Sequence, residues 1–324
     1  MKRDEWMTTE VSASEIGTHL GANRSFDGLL GAPATRYFAT GYQRVGYGVS
    51  FGAASAGAHG SVALGGFGAV DYPVDWSLAP SGQPRPLHLS SIDALVLGVA
   101  AVEHAMSEVP GMCEPTHAVI DHVSIRSGSH PHAELSEVPV SAMLVPSEYE
   151  FLAELRVGAF RIHMLLRGAE PPARRAGQLR PYWDGYRLNA VMSELVEVDL
   201  RDRSVVTIHT VKSPKTGGAA GIDSALWPGL THVDNVALFG QIAQVLAQTT
   251  VGVVRGSIDN LWMRRMAFTR VEHLAPTTFQ ARARLVEHSM IERGGKVMNS
   301  LRMEAVSDHG VKAEALFGFV AESR

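Results

Sequence analysis

Pro228-Gly229-Leu230-Thr231-His232-Val233-Asp234-Asn235 leads directly into Val236-Ala237-Leu238-Phe239-Gly240-Gln241, and no charged residue follows until after Val254. Pro-Gly is a turn signal, and Asp234 or Asn235 suits the cap of a following helix. The length of the apolar run argues for helix over strand, and Gln241, Gln244 and Gln248 recur at helical spacing. A helix apolar around most of its circumference has to be enclosed by protein.

What surrounds the run is strand-like. Phe279, Ala281, Ala283 and Leu285 alternate with Gln280, Arg282 and Arg284. The same two-residue period continues through Val297, Asn299, Leu301, Met303 and Ala305, then through Val311, Ala313, Ala315, Phe317 and Phe319. Gly294-Gly295 and Asp308-His309-Gly310 supply the turns, so this reads as an antiparallel meander with one buried face. Upstream, 187–200 and 204–211 read as two strands joined by Arg201-Asp202-Arg203.

The same order occurs earlier in the chain. After some thirty residues of loop with one short helix, 36–51 reads as an aromatic strand carrying Tyr37, Tyr42, Val45, Tyr47 and Val49, and 61–72 as a Gly-rich one. An extended connection through Asp71-Tyr72-Pro73-Val74-Asp75-Trp76-Ser77 and Gln83-Pro84-Arg85-Pro86 delivers the chain to His88-Leu89-Ser90-Ser91-Ile92-Asp93. Ser90 and Asp93 form a capping-box variant ahead of a second uncharged helix over 94–102 that ends near Pro110-Gly111. Three strands follow, over 118–125, 138–145 and 151–166. Pro171-Pro172 with Arg174-Arg175 marks a linker. Ala94-Leu95-Val96-Leu97-Gly98 lies over Val236-Ala237-Leu238-Phe239-Gly240 at an offset of 142 residues. A buried helix wrapped by an antiparallel sheet is the hotdog arrangement, and here it occurs twice. The expected architecture is an α+β double hotdog, with repeats over 1–170 and 171–324.

Bulk properties agree. The 324 residues are 45% hydrophobic, ample for two cores, and the net charge of -4 gives no electrostatic reason to expect nucleic acid. Met1-Lys2-Arg3-Asp4-Glu5-Trp6 lacks the apolar core of a signal peptide, and three Gln and two Thr argue against a membrane span over 236–254. Cys113 is the only cysteine, so no internal disulfide forms, and a structural thiol is the better reading. The expectation is a soluble cytoplasmic protein without nucleic-acid or membrane partners, a monomer or homodimer.

In such a fold, sites usually form where the loop before a central helix meets the facing repeat. His88 and His232 lie in those loops, each followed by a carboxylate, Asp93 or Asp234. Imidazole suits general acid or base work near neutrality, and unpaired amides at a helix start suit a developing oxyanion. Asp93, Asp234 and Asn235 read equally well as caps, and the histidines as partners of nearby backbone; both readings stay open. Lys212, Lys215 and Gly217-Gly218 would suit a phosphate, or form an ordinary solvated loop. Trp76, Arg85 and Gln241 complete the substrate-binding candidates, with Trp76 also a natural packing aromatic. His117, His122, His130 and His132 fix no third ligand by spacing, so neither metal nor cofactor is expected.

Two short segments have relatives in kind. Thr231-His232-Val233-Asp234-Asn235 resembles the His-Val-Asn-Asn segment of hotdog thioesterases, and Pro228-Gly229 resembles the corresponding loop of hotdog dehydratases. The run from Asp71 to Ser77 followed by His88 to Leu97, with Arg36-Tyr37-Phe38 and Gly41-Tyr42-Gln43-Arg44-Val45 upstream, resembles the avirulence D (AvrD) family most sharply over residues 36–98. That resemblance implies an acyltransferase of secondary metabolism that joins a 3-oxoacyl group to a ketopentose such as xylulose, giving syringolide-type acyl glycosides. The AfsA butenolide-synthesis family, which uses a phosphorylated triose, is the nearest analogue. The implied donor is an acyl carrier protein or acyl-CoA thioester, and the implied acceptor is a small sugar or triose. A thioesterase, a dehydratase and a non-catalytic acyl-binding protein are the alternatives.

Overall fold

The computed structural model describes residues 25–79, 81–109, 113–146, 150–169, 182–213, 221–251, 261–293 and 296–322. The helices among them are α1 (Phe26–Leu30), α2 (Ser91–Glu108), α3 (Tyr182–Gly185) and α4 (His232–Val251). The strands of the first half are β1 (Gly46–Phe51), β2 (Ser55–Ala56), β3 (Val62–Asp71), β4 (Ala118–Arg126), β5 (Val138–Pro146), β6 (Glu150–Val157) and β7 (Phe160–Gly168). Those of the second half are β8 (Ala190–Asp199), β9 (Ser204–Lys212), β10 (Trp262–Arg270), β11 (Thr278–Arg293), β12 (Lys296–Ser307) and β13 (Val311–Glu322).

All thirteen strands join one antiparallel sheet in the order β1-β3-β5-β6-β7-β4-β10-β13-β12-β11-β9-β8, with β2 on β3. From the centre outward the two halves have the same plan. Each has two outer strands, a long helix, a strand at the seam, and a three-stranded meander between the seam strand and the outer pair. This is an α+β double hotdog, its two sheets fused edge to edge where β4 pairs with β10.

Burial explains why each helix stays inside. From Ser91 to Val102 every residue of α2 is buried, and from His232 to Phe239 every residue of α4. Each Leu, Val or Ile enclosed this way contributes about 1.5–3 kcal/mol relative to exposure. The seam supplies part of the enclosure, because Ile125 opposite Met266 and Val123 opposite Phe268 all turn inward. Phe268 in turn meets Phe239 of α4 with ring centroids 5.8 Å apart. Among the described residues no helix is long and apolar enough to cross a membrane.

Several expectations need correcting. Residues 33–45 form a wrap with 3₁₀ turns over Pro33–Thr35 and Gly41–Arg44, and of the expected strand over 36–51 only Gly46–Phe51 forms. The segment 151–166 is a hairpin of β6 and β7, turned at Gly158, whose φ of 53° suits glycine. The first half therefore has four strands after its helix. Strand β10 was not expected at all: a bulge between Met263 and Arg265 interrupts the alternation that would have marked it. Residues 110–112, 170–181 and 294–295, where the sequence places turns and the linker, lie outside the described residues.

The wrap over 33–45 depends on Gly41. A Cβ there would overlap the main-chain carbonyl oxygen of Trp76, and a backbone atom cannot move aside cheaply. Gly41→Ala is expected to cost about 1–3 kcal/mol, read as a lower urea midpoint at unchanged slope. An unchanged midpoint would mean that the wrap is not clamped against the Trp76 segment.

Candidate active site

Both long helices begin in the same way. At α2, Ser90 Oγ accepts from the Asp93 amide (3.2 Å) and the Asp93 carboxylate accepts from the Ser90 amide (2.9 Å), a complete capping box. At α4, Thr231 Oγ1 accepts from the Asp234 amide (3.3 Å) and Asp234 Oδ2 accepts from the Thr231 amide (2.9 Å). The cap of α4 is thus Thr231, with Asp234 three residues inside the helix and Asn235 beyond it. The matched caps align the helices at 141 residues, one less than the helix sequences alone suggest.

Neutral donors meet each carboxylate, three of them tyrosines at Asp93 and one at Asp234. Asp93 Oδ1 accepts from the phenols of Tyr37 (3.0 Å) and Tyr47 (2.7 Å), and Oδ2 accepts from Tyr72. With the Ser90 amide this makes four donors, the full capacity of a carboxylate. Burial first, and then the Asp93 charge, raise all three phenols above their ordinary range, which keeps them protonated as donors. Asp234 accepts from Asn189 Nδ2 (3.0 Å), Thr231 Oγ1 (3.0 Å) and Tyr42 (3.3 Å), while Ser213 donates to Asn189 Oδ1 (2.6 Å). Tyr42 stacks on Tyr186 at 5.7 Å between centroids.

Neither carboxylate orients a histidine. His88, half-buried, donates Nδ1–H to the Pro86 carbonyl (3.1 Å), which leaves Nε2 with the lone pair. Its ring lies 6.0 Å from Trp76 and is stacked 6.5 Å from Trp262, so a residue of the first half faces one of the second. His232 is fully buried and donates Nε2–H to the Ile120 carbonyl (2.8 Å). The register of β4 on β7 slips between Ile120 and His122, and the Ile120 amide is bonded by Asp223 Oδ1 (2.9 Å). His232 and Asp223 therefore satisfy both backbone groups of Ile120, the residue next to the one that the register skips, Asp121. Burial, then the nearby Arg270, pushes His232 well below the usual imidazole range, so it is neutral.

The remaining candidates disperse. Asn235 Oδ1 accepts from His309 Nε2 (2.8 Å), and burial followed by Arg270 pushes His309 down to about 3. Gln241 is occupied on both sides: its Oε1 accepts from Arg36 (3.0 Å) and its Nε2 donates to the Phe38 carbonyl (3.0 Å). Trp76 is buried, packs on Tyr37 and Tyr72, and donates to the Arg85 carbonyl (3.2 Å). Lys212 is exposed at the end of β9, while Lys215 and Gly217-Gly218 lie outside the described residues. Among the described residues no group of three or more His, Cys, Asp or Glu stands close enough to hold a metal.

An apolar pocket lies between α4 and strands β10, β12 and β13, with about 460 Å³ of empty space including its open mouth. Phe239, Met263, Met266, Met303 and Phe317 line it, and Phe38 adds a wall from the first half. Phe38 touches Tyr37, 5.4 Å between centroids, so the pocket adjoins the Asp93 cluster through one peptide bond. Leu261 and Met263, also lining residues, flank Trp262, the partner of His88. Tyr37, Tyr42, Tyr47, Tyr72, Tyr186, Asn189 and Trp262 are the parts of this site that sequence reasoning did not assign to it.

Burial raises Asp234 to about 6, against the hydrogen bonds that lower it. Folding thus favours its proton, a contribution complete below about pH 4, where an unfolded aspartate is protonated, and lost as pH rises through about 6. Asp234→Asn stays neutral throughout. The stability of the native chain relative to that variant should fall by about 2–3 kcal/mol between pH 4 and 7 in urea titrations. A difference flat across that range would contradict the buried, proton-holding environment.

No curated protein matches the chain. Similar solved structures include the tesB protein of Mycobacterium avium subs. paratuberculosis, with 10% identity, TM-score 0.40, and 79% of this chain and 92% of that one covered. A protein with hot dog fold from Alicyclobacillus acidocaldarius has 11% identity, TM-score 0.40, and coverage of 84% and 96%. The dehydratase domain of the polyketide PpsC from Mycobacterium tuberculosis has 14% identity, TM-score 0.35, and coverage of 84% and 97%. The family described as Pseudomonas avirulence D protein (AvrD) matches over residues 22–178 and again over 172–314. With nearly all of its length so matched, one repeat after the other, the chain belongs to the AvrD family.

Proposed function

We propose that the chain is an acyltransferase that joins a 3-oxoacyl thioester to a hydroxyl of a small ketose or sugar phosphate, at the seam between the two halves. The observation that carries this reading is the adjacency of the apolar pocket and the polar cluster, which share the Tyr37-Phe38 peptide. The alkyl chain of the donor would occupy the pocket. Its thioester would then lie near the pocket mouth, beside Trp262 and His88.

His88 is the better base of the two histidines. Its Nε2 carries a lone pair on a half-buried ring, whereas His232 is enclosed and committed to the Ile120 carbonyl. In the proposed step His88 Nε2 takes the proton of the sugar hydroxyl as the oxygen attacks the acyl carbonyl. The C–O bond forms, the C–S bond breaks, and the proton passes to the leaving thiolate. Asp93 serves as a positioning residue: its four donors hold Tyr37, Tyr47 and Tyr72 in place and leave no lone pair for His88. The family resemblance implies an acyl carrier protein or acyl-CoA thioester as donor and a small sugar or triose as acceptor.

Purified protein incubated with a 3-oxoacyl thioester and xylulose, or its phosphate, should release thiol and form ester only when sugar is present. His88→Ala should lower kcat/KM by about 10²-fold or more, the usual contribution of a general base. His232→Ala should instead cost about 1–3 kcal/mol of stability, because it strips a bonded partner from buried backbone. Thiol release without sugar would point to a thioesterase, and a new enone absorbance to a dehydratase. Full activity in His88→Ala would remove that residue from the mechanism.

A further inference from the structure

The pocket against α4 has one wall that its own half does not supply. Phe38 precedes β1, and its ring lies directly on Gly240 of α4. A Cβ built on Gly240 would come within 3.2 Å of three carbons of that ring, closer than side chains ordinarily pack. Glycine at 240 is therefore what lets the ring take its present position.

The main chain at Phe38 is tied down independently of the ring. Arg36 donates to Gln241 Oε1 (3.0 Å), Gln241 Nε2 donates to the Phe38 carbonyl (3.0 Å), and Tyr37 donates to Asp93 Oδ1 (3.0 Å). Arg36 also pairs with Asp27 Oδ1 (2.6 Å) in the first turn of α1. With the backbone held at these points, a change at 240 has to be absorbed by the ring, and the ring faces the pocket. Its other surfaces include Met263, Met266, Met303 and Phe317, and among the described residues Glu314, itself exposed, is the one charged side chain that lines it. Unbranched thioether side chains adapt to an alkyl chain without offering it a hydrogen bond.

We infer that Phe38 and Gly240 together set the length of alkyl chain that the pocket accepts, with the Phe38 ring as its closing wall. The inference rests on the ligand of the reading above, an acyl thioester, and not on its reaction. S-alkyl pantetheine thioethers, from S-butyl to S-dodecyl, cannot be cleaved and report binding alone by calorimetry. Each methylene the pocket encloses should tighten binding about four-fold, the equivalent of about 0.8 kcal/mol, up to the chain that fills it.

Gly240→Ala should drive the ring inward and move the best-bound chain to a shorter one, with at least four-fold weaker binding of the native optimum. Phe38→Ala should move the optimum to a longer chain, and Phe38→Trp to a shorter one. Thermal unfolding of each variant identifies any that fails to fold, and the two Phe38 variants carry the test if Gly240→Ala does. An optimum unmoved in the folded variants overturns the inference, as does the absence of binding at every length. Shifted optima without sugar-dependent thiol release would leave this inference standing and remove the reaction. Sugar-dependent release with unmoved optima would do the reverse.

Discussion

Two aspartates at the starts of buried helices constrain much of the rest. Taking a carboxylate out of water costs several kcal/mol unless its lone pairs are met. Among the described residues neither Asp93 nor Asp234 has a basic partner, so neutral donors have to meet that demand: phenols, an amide side chain, a hydroxyl and the capping backbone. Those donors come from distant stretches of chain, Tyr37 and Tyr42 from the wrap, Tyr47 from β1, Tyr72 from just beyond β3, and Asn189 from just before β8. Helix capping, a local matter in most proteins, here fixes the path of the N-terminal wrap across both halves. Each donor lost would leave a buried acceptor unpaired, at about 1–3 kcal/mol.

The seam applies the same logic to backbone. Where β4 slips register against β7 at Ile120, an exposed amide and carbonyl would face the core. Asp223 and His232 take one each, which ties the start of α4 to the first half's sheet. An imidazole in this position is constrained to be neutral and to keep its proton on Nε2. That is a poor arrangement for a base and a good one for a strut. His88, which faces Trp262 across the same seam, is only half-buried and makes its backbone bond through Nδ1 instead.

What the sequence made legible follows from periodicity. The two uncharged runs could only be enclosed helices, and the three alternating stretches after 278 could only be a half-buried meander, so the architecture followed. Ser90 and Asp93 stood at capping-box spacing and could be recognised. Thr231 and Asp234 stand at the same spacing, but Asp234 and Asn235 are themselves good caps and mask it. The bulge in β10 hid the strand that makes the seam. Tyr37 and Tyr42 extended the true strand pattern of Tyr47 backward, although the physical reason for their placement is two buried carboxylates several elements away. Local pattern carries no sign of a partner that distant.

The halves share a plan but differ in what fills them. In the first, Leu97 of α2 presses on Gly68 of β3 so closely that a Cβ at Gly68 would fall 2.7 Å from its methyl carbons, and Gly98 faces Ile162, Met164 and Leu155 at about 3.5–3.8 Å by the same construction. In the second, the corresponding space between α4 and its sheet is left partly empty and lined with Met and Phe. With the helices aligned by their caps, Gly98 of α2 meets Phe239 of α4 and Val99 meets Gly240. The small residue has moved one place along the helix, from facing the sheet to facing Phe38. A single-residue shift of that kind keeps both helices buried and both caps intact while changing the surface that the small residue meets. A duplicated fold can in this way keep one helix as a rigid mount for the polar cluster and open the other as a pocket beside it.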